Sequence, residues 1–485
     1  MTALDLVIRG GSVVTATDVM RCDVGVKDGR VVMLGTDLPA GATVVDATGL
    51  LVLPGGVDGH CHIEQPSGSP AVNCDTFTTG TSSAAAGGTT TVVCFAWQMK
   101  GQSLAKAAAD YQVAARQSLI DYGFHLTITD PTDAVIKDEL PALVAAGNRS
   151  IKIFMTYEGV RVNDTEVLRV LAAARKLGAL VCVHAEHHEL IVFLTEQLVA
   201  AGLTMPMHHA WAKPTVVERE AAHRIIAMAE ALDVPIQLFH VSGPAPAEEI
   251  ARARKRGLKV WAETCPQYLT LSVEDLDRPG FEGAKYLFSP APRSKAEQQG
   301  LWDYIRDGVI DVISSDHSPT RFDDPKGKKV AGENAPFNKV PNGVFGVAAR
   351  LPLVFHEGVT KGRISVSKFV ELVSTAPARQ FGLFPRKGTI AVGSDADLVL
   401  WDPNKTVTLT NALMHHGGDY TPYEGMAVTG YPVATYVRGA LVFDGQAVVG
   451  KPGFGQHLAR ESYGYIKPNG TFPTPFNPVD RTLAG

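Results

Sequence analysis

The sequence is poor in cysteine and contains no paired cysteine motif. Its 485 residues include only six cysteines, and no two of them form a C-x-x-C pair. They are Cys22, Cys61, Cys74, Cys94, Cys182 and Cys265, and several lie inside apolar runs. This pattern disfavours a disulfide scaffold and predicts reduced, buried thiols in a cytoplasmic protein.

Long hydrophobic runs and a strong excess of either charge are also missing. No apolar stretch is long enough to span a bilayer, and the opening residues MTALDLVIRGG lack a basic start followed by an apolar core. Lysine and arginine total 45 against 50 aspartate and glutamate, which gives a net charge of −5. Without a basic stripe, we expect neither a membrane nor a nucleic-acid partner.

Short apolar runs alternate with helical segments between residues 50 and 320. The runs are rich in β-branched residues, which is typical of parallel strands buried on both faces. They cover residues 50–60, 89–95, 124–130, 150–156, 179–184, 235–242, 258–265 and 308–317, with helices such as 103–119, 164–178 and 216–233 between them. This alternation predicts an α/β fold, a (β/α)8 TIM barrel, with an open doubly wound sheet as the alternative.

The two ends of the chain have a different pattern. Residues 4–50 and 386–450 show short strands separated by turn residues, and neither segment has enough apolar residues for its own core. We therefore predict a catalytic barrel over 54–384 and a small β-sandwich domain built from 1–53 and 385–450. Residues 451–485 are predicted to form an extended C-terminal tail that packs on a neighbour or frays.

Possible metal ligands recur at the ends of the predicted barrel strands. In PGGVDGHCHIEQPSG (54–68), His60 and His62 would point to the same side of strand one, with Cys61 turned away. Each candidate has an ordinary structural explanation, such as a helix cap or a core histidine. Their common position at strand ends favours a shared metal centre. The set is His60, His62, Lys152, His184, His240 and Asp316.

Imidazole and carboxylate ligands suit Zn²⁺ and leave a position open for water. Lys152 lies in the apolar segment SIKIFMTYEG, where burial lowers the pKa of an amine. A neutral amine can react with carbon dioxide to give N6-carboxylysine, a carbamate whose two oxygens can bridge two metals. The alternative is a lysine paired with a nearby carboxylate.

Several motifs together resemble those of a known family. The segments DGHCH, SIKIF, VHAE, FHVSG and SSDHS, with ETCPQYL, KYLFSPAPR, PNGVFGV and KGTIAVGSDADLVLWDP, resemble the cyclic amidohydrolases, and within them the dihydropyrimidinase and D-hydantoinase family. The resemblance extends from about residue 4 to residue 450. It implies two Zn²⁺ ions per subunit, although other divalent metals are possible. Its ligand assignment is His60, His62 and Asp316 on one metal, His184 and His240 on the other, and carboxylated Lys152 between them.

The resemblance also implies a reaction, the hydrolysis of the cyclic amide of hydantoins or 5,6-dihydropyrimidines to N-carbamoyl amino acids. Tyr157 would stabilise the oxyanion, and Asp316 would carry a proton to the leaving ring nitrogen. Main-chain groups of Ser289 and Asn342 would bind the ring amide. The family further implies a homotetramer.

Other functions remain open at this point. A dihydroorotase would carry an arginine two residues after the second histidine, where this chain has Glu64, a carboxylate that would repel an anionic ring. An allantoinase explains fewer of the motifs. Non-catalytic dihydropyrimidinase-related interaction proteins have lost metal ligands, whereas all six positions are filled here.

Ring preference is the least determined property of the sequence. Apolar residues that could face the exocyclic substituent are Phe95, Trp97, Met99 and Met155. Three positions depart from the family pattern and are expected to touch the substrate loops. They are Cys94, Glu158 and Ser318.

Overall fold

The computed structural model describes residues 4–67 and 70–483. The strands before the barrel are β1 (Leu6–Arg9), β2 (Ser12–Val14), β3 (Val19–Arg21), β4 (Asp23–Lys27), β5 (Arg30–Gly35), β6 (Thr43–Asp46) and β7 (Leu51–Pro54). The barrel strands are β8 (Gly56–Cys61), β9 (Thr89–Trp97), β10 (Asp121–Thr127), β11 (Ser150–Phe154), β12 (Leu180–His184), β13 (Ile236–Leu238), β14 (Val260–Thr264) and β15 (Val312–Ile313). The later strands are β16 (Leu398–Thr408), β17 (Ala427–Val437), β18 (Ala440–Phe443), β19 (Phe476–Asn477) and β20 (Thr482–Leu483).

The helices lie mainly between the barrel strands. They are α1 (Phe77–Ala86), α2 (Leu104–Ala115), α3 (Leu140–Ala145), α4 (Asp164–Leu177), α5 (His188–Ala200), α6 (His208–Ala212), α7 (Thr215–Leu232), α8 (Pro244–Lys255), α9 (Pro266–Thr270), α10 (Lys295–Arg306), α11 (Arg350–Val354), α12 (Val366–Val370) and α13 (Ala376–Gln380). Single π turns at Val135–Glu139, Phe355–Thr360 and Glu371–Thr375 extend or join these helices. Short 3₁₀ turns cover Val273–Leu276, Glu282–Tyr286, Phe337–Lys339, Asn411–Met414 and Gly464–Ile466.

The barrel predicted from the alternating pattern is confirmed. Within the described residues, the eight strands β8 to β15 pair in chain order, and every pairing between them is parallel. The first and last strands meet through a parallel bridge between Cys61 and His317. The His62 amide also donates to the His317 carbonyl at 2.7 Å. This contact closes the sheet into a barrel. The alternative of an open doubly wound sheet is therefore wrong.

The predicted β-sandwich from both ends of the chain is also confirmed. In the described part of the chain, one sheet has the order β5-β4-β1-β6 and the other β18-β17-β16-β7-β2-β3. The second sheet joins the two ends because β7 pairs antiparallel with β16, with Leu53 opposite Val399. Its core is made by side chains such as Ile8, Val52 and Leu398.

The apolar run predicted as one strand over 50–60 is two strands. β7 belongs to the sandwich, and β8 begins the barrel after Gly55. A side chain at Gly55 would come within 2.0 Å of the Thr90 hydroxyl oxygen, so only glycine allows the chain to cross here. The sequence does not indicate where one strand ends and the next begins, because both strands are buried and their residues form one continuous apolar run.

A buried lysine links the sandwich to the barrel. Lys387 Nζ lies 2.6 Å from Asp121 Oδ2 on β10 and 2.7 Å from Asp397 Oδ2 just before β16. It also lies 3.0 Å from Asp395 Oδ2. These groups have almost no solvent exposure, so the ion pairs fix the position of one unit on the other.

The C-terminal segment packs on its own barrel. Leu458 and Ile466 join the cluster of Val57, Leu180 and Phe381 that closes the barrel floor. The buried guanidinium of Arg460 binds main-chain carbonyls there, including those of Gly147 and Phe381. The sequence predicts a tail that packs on a neighbour or frays. It does not indicate this contact with the same chain, because the apolar side chains are too widely spaced to reveal their partner.

No helix of the described segments combines the length and apolar character needed to cross a membrane.

Candidate active site

Two histidines and one aspartate meet at the mouth of the barrel. His60 is the penultimate residue of β8, and its Nε2 lies 3.0 Å from Oδ1 of Asp316, a residue just after β15. His62 Nε2 lies 3.2 Å from the same oxygen. The potential ligand atoms of these three residues all fall within 4.8 Å of one another. The structure thus brings the first predicted ligand group together.

The opposite ring nitrogens of these histidines are held by neighbouring side chains. His60 Nδ1 lies 2.7 Å from Glu263 Oε1 on β14, and His62 Nδ1 binds Gln65 Oε1. Such bonds orient the rings and leave Nε2 as the metal-binding atom. Burial opposes charge on His60, but Glu263 and Asp316 raise the pKa of this histidine to about 9.

His184 and His240 form the second predicted pair. Their ring centroids are 4.3 Å apart, and His240 lies 5.4 Å from the ring of His60. His184 Nε2 lies 2.7 Å from Glu186 Oε2, which also accepts a bond from Lys213. This leaves Nδ1 of His184 as the free ligand atom, and burial lowers the pKa of His184 to about 4.

Lys152 lies between the two histidine pairs in an aromatic enclosure. Its Nζ is 4.2 Å from the Phe239 ring centroid, 4.8 Å from that of Phe154 and 5.6 Å from that of Phe95. Phe95 stacks on His62, and Phe154 stacks on His184. The amine has no hydrogen-bond partner among the described residues. Because no carboxylate of the described residues bonds to this amine, the structure does not show the carboxylate-paired alternative. Burial lowers the pKa of Lys152 to about 8.

Three residues at this end of the barrel have unusual backbone conformations. Asp316 has φ 47°, His240 φ 41° and Tyr157 φ 74°, a region that non-glycine residues rarely adopt. Such conformations cost on the order of 1–3 kcal/mol each and persist where the surroundings fix them, commonly at functional sites.

A pocket of about 320 Å³ opens above these residues. The predicted substrate residues Tyr157, Ser289 and Asn342 all line it, as do His60, His62, His184, His240 and Asp316. Burial raises the pKa of the Tyr157 hydroxyl well above its ordinary value, so this group remains a donor.

The apolar wall of the pocket differs from the prediction. Trp97 lines the pocket together with Phe154 and Val160, which the sequence analysis did not select. Phe95 lies deeper, stacked against His62, while Met155 borders a different cleft. Met99 is not among the described residues that line the pocket. The sequence predicts the strands, but it does not indicate which side chains at the strand ends and in the following loops point into the pocket.

Glu64 does not face the pocket either. Its φ is 48°, and its carboxylate accepts the amide of Phe77 at 2.7 Å, at the start of α1. The predicted repulsion of an anionic ring by Glu64 is therefore wrong.

Of the departures from the family pattern, only Ser318 lines the pocket among the described residues. Cys94 is buried in the barrel wall. The Glu158 side chain is 82% exposed and pairs with His188. The expectation that all three touch the substrate loops is wrong for Cys94 and Glu158.

The groups that orient the metal-binding histidines were not among the predicted site residues. Glu263, Glu186 and Lys213 lie behind the histidines and carry buried charge. Two of them stand inside quoted motifs, Glu186 in VHAE and Glu263 in ETCPQYL. Glu186 follows the predicted ligand His184 by two residues, and Glu263 lies near the end of a barrel strand. These two positions could have indicated that both residues belong to the site.

Comparisons with known proteins extend over nearly the whole chain. The amidohydrolase family model matches residues 51–442. The chain is 45% identical over 462 residues to a D-hydantoinase of Ralstonia pickettii, covering 95% of this chain and 100% of that protein. A D-hydantoinase of Rhizobium radiobacter is 45% identical over 463 residues, with 95% and 100% coverage. The crystal structure of a dihydropyrimidinase from Brevibacillus agri NCHU1002 is 43% identical, with a TM-score of 0.91 and coverage of 94% of this chain and 99% of that chain.

Proposed function

Because the chain belongs to the amidohydrolase family, we propose that it hydrolyses the cyclic amide of hydantoins or 5,6-dihydropyrimidines to N-carbamoyl amino acids. The observation that carries the proposal is the convergence of His60, His62 and Asp316 at the floor of a pocket lined by Tyr157. Relatives named as D-hydantoinases and a dihydropyrimidinase support the same reaction.

We propose that the site holds two zinc ions. The donor set fits them, since the Nε2 atoms of His60 and His62 face one carboxylate oxygen of Asp316. His240 Nδ1 and Lys152 Nζ are buried without a partner among the described residues, as expected of groups that bind something else. A carboxylated Lys152 would supply an anionic ligand shared by the two histidine pairs.

When bound, two zinc ions would supply Lewis acidity and lower the pKa of a coordinated water toward neutrality. Burial opposes ionisation of Asp316, but His60 and His62 hold its pKa well below the ordinary value. From its place at the pocket floor, the Asp316 carboxylate accepts the proton of the attacking water and delivers it to the leaving ring nitrogen. The protonated hydroxyl of Tyr157 donates to the oxyanion as it develops.

The pocket favours a ring without a negative substituent. The described residues that line it include no lysine or arginine. A dihydroorotate carboxylate would thus lose its water without gaining a counter-ion. Trp97, Phe154 and Val160 instead offer an apolar wall to a 5-substituent of the ring.

We also propose that the enzyme works as a homotetramer in the cytoplasm. Helix α5 supports association, because Phe193 is 57% exposed and Val192 and Val199 are each 39% exposed. Trp211 on α6 adds a further apolar side chain at 50% exposure. Exposed apolar side chains on these two helices are candidates for a subunit contact. The free cysteines, most of them buried, are consistent with a reducing compartment.

One substrate panel tests the proposed reaction. Hydantoin, 5-phenylhydantoin, dihydrouracil, dihydroorotate and allantoin are offered to one preparation, and its zinc content is measured on the same sample. We expect ring opening of hydantoins or dihydrouracil and little with dihydroorotate. Turnover confined to dihydroorotate or allantoin would overturn the proposed substrate class, and a folded, metal-binding protein inactive on all five would overturn the enzymatic role.

A further inference from the structure

Lys328 is a fully buried lysine outside the proposed metal centre. Its side chain has 0% exposure. Its Nζ lies 2.7 Å from the Pro341 carbonyl, 2.7 Å from that of Gly343 and 3.1 Å from that of Leu287. An ammonium group has three N–H donors, and each of them meets one main-chain carbonyl here.

This lysine has no carboxylate partner among the described residues. Burial lowers the pKa of Lys328 to about 7. Burying a cation without an acid is costly, and a buried hydrophobic residue would avoid that cost. The three carbonyls are therefore the feature that explains a lysine at this position.

The carbonyls belong to the two segments that carry the proposed substrate groups. Ser289 follows Leu287 by two residues, and Asn342 stands between Pro341 and Gly343. The two segments also contact each other directly, since the Gly343 amide donates to the Leu287 carbonyl at 2.9 Å. Lys328 thus ties both sides of the substrate wall to one point.

The two residues proposed to bind the ring stand next to main-chain carbonyls that are already bonded. The carbonyls of Leu287 and Pro341 accept bonds from Lys328, and the Phe288 carbonyl binds His209 at 2.8 Å. The main-chain groups of Ser289 and Asn342 have no hydrogen-bond partner in the described part of the chain, although both residues line the pocket. The flanking groups are fixed, and Ser289 and Asn342 stand beside them in the lining of the pocket.

We propose that Lys328 is a positioning residue that sets the distance between the main-chain groups of Ser289 and Asn342. This inference rests on the proposed binding of the ring amide by those groups. Binding energy depends on such alignment, and a small displacement of positioned groups weakens it strongly. Lys328 acts through the loops and does not touch the substrate.

Lys328→Met tests the proposal, with Lys329→Met as the matched control. Lys329 is the next residue, but its ammonium pairs with the exposed Asp323 and Glu333 instead. In the zinc-loaded enzyme we expect Lys328→Met to raise the KM for hydantoin at least about tenfold, with kcat within about threefold. Lys329→Met should leave both constants near wild type.

Hydrogen exchange of the main-chain amides separates the two parts of the claim. Exchange in residues 284–290 and 341–344 should rise in Lys328→Met and stay unchanged in Lys329→Met. Unchanged exchange and unchanged KM would overturn the role of Lys328. Faster exchange with an unchanged KM would overturn it as well, and would show that the fault lies in the proposed contacts of Ser289 and Asn342.

Lys328→Gln covers the case in which the methionine variant does not fold. Its amide offers two donors, so KM should lie between those of wild type and Lys328→Met. A folded glutamine variant with the wild-type KM would contradict the proposal. Failure of both variants to fold would also overturn it, because Lys328 would then serve the fold and not the substrate wall.

Discussion

The Nε2 atom of His60 lies 3.0 Å from Oδ1 of Asp316, which joins the first barrel strand to the last at the floor of the pocket. His62 contacts the same oxygen, so one carboxylate faces two imidazoles. This arrangement gives Asp316 two roles in our account, as a metal ligand and as the group that moves the proton. The first two predictions test the chemistry around it.

Replacement of the aspartate should abolish turnover while the fold persists. Asp316→Asn keeps the shape of the side chain but cannot accept a proton, so kcat for hydantoin should fall by about 10²–10⁴-fold or more. Steady-state kinetics and circular dichroism on the same sample measure the effect. Asp133→Asn, at a side chain 68% exposed, is the control. An Asp316→Asn enzyme within tenfold of wild type would refute the proton-transfer role.

Removal of the tyrosine hydroxyl should affect the transition state and spare the metals. Tyr157→Phe loses one donor to the oxyanion, so kcat should drop about 10²–10³-fold, with zinc content unchanged. Tyr304→Phe, on helix α10 away from the pocket, serves as the comparison. Equal kcat in wild type and Tyr157→Phe would show that the hydroxyl does not contact the reacting carbonyl.

The ion pairs between barrel and sandwich should contribute strongly to stability. Lys387→Met leaves Asp121 and Asp397 buried without their shared cation, which should lower the free energy of unfolding by about 3–5 kcal/mol. Lys106→Met breaks the exposed pair with Asp110 and should cost less than about 1 kcal/mol. Urea unfolding of the two variants compares them. A similar loss of unfolding free energy in both variants would mean that the buried ion pairs stabilise the protein no more than a surface pair does.

Acid should destabilise the protein in part through His209. Burial lowers the pKa of His209 to about 3, and its Nε2 donates to the Phe288 carbonyl. The unfolded chain takes up a proton near pH 6.5 while the folded one does not. The stability from this histidine is thus fully present above pH 6.5 and is lost as pH falls toward 3, by at most about 1.4 kcal/mol per pH unit.

His209→Gln keeps a donor for Phe288 but cannot bind a proton. Urea unfolding midpoints between pH 6.5 and 4.5 should therefore fall less steeply in this variant than in wild type. Parallel slopes would show that His209 is not protonated on unfolding.

The barrel and its ligand positions could be predicted because they follow from local patterns. Continuous apolar strands show where β9 and β12 lie, and a polar residue at the end of such a strand, such as His184, reaches the barrel mouth. His60 and Asp316 lie close together because the barrel closes. The eight predicted strands indicated such a closed barrel.

Features that depend on loop geometry or on distant partners could not be predicted from the sequence. Glu64 turns away to cap α1 because its backbone adopts a positive φ, which no residue pattern indicated. Val160 lines the pocket from the turn that follows β11, and Phe154 lines it from the last position of that strand. Lys328 lies in a long loop without periodicity, and its three acceptors are carbonyls, which carry no side-chain signal.

Zinc content and hydantoin hydrolysis, measured side by side on wild type and Lys152→Ala, test whether the enzyme depends on a metal centre held by Lys152. Both proteins are expressed with zinc and bicarbonate, and circular dichroism confirms that they are folded. The account predicts about two zinc ions per wild-type chain with turnover, and a folded Lys152→Ala that has lost both metal and activity. Near-normal turnover in Lys152→Ala, or a folded and metal-free wild type under these conditions, would contradict it.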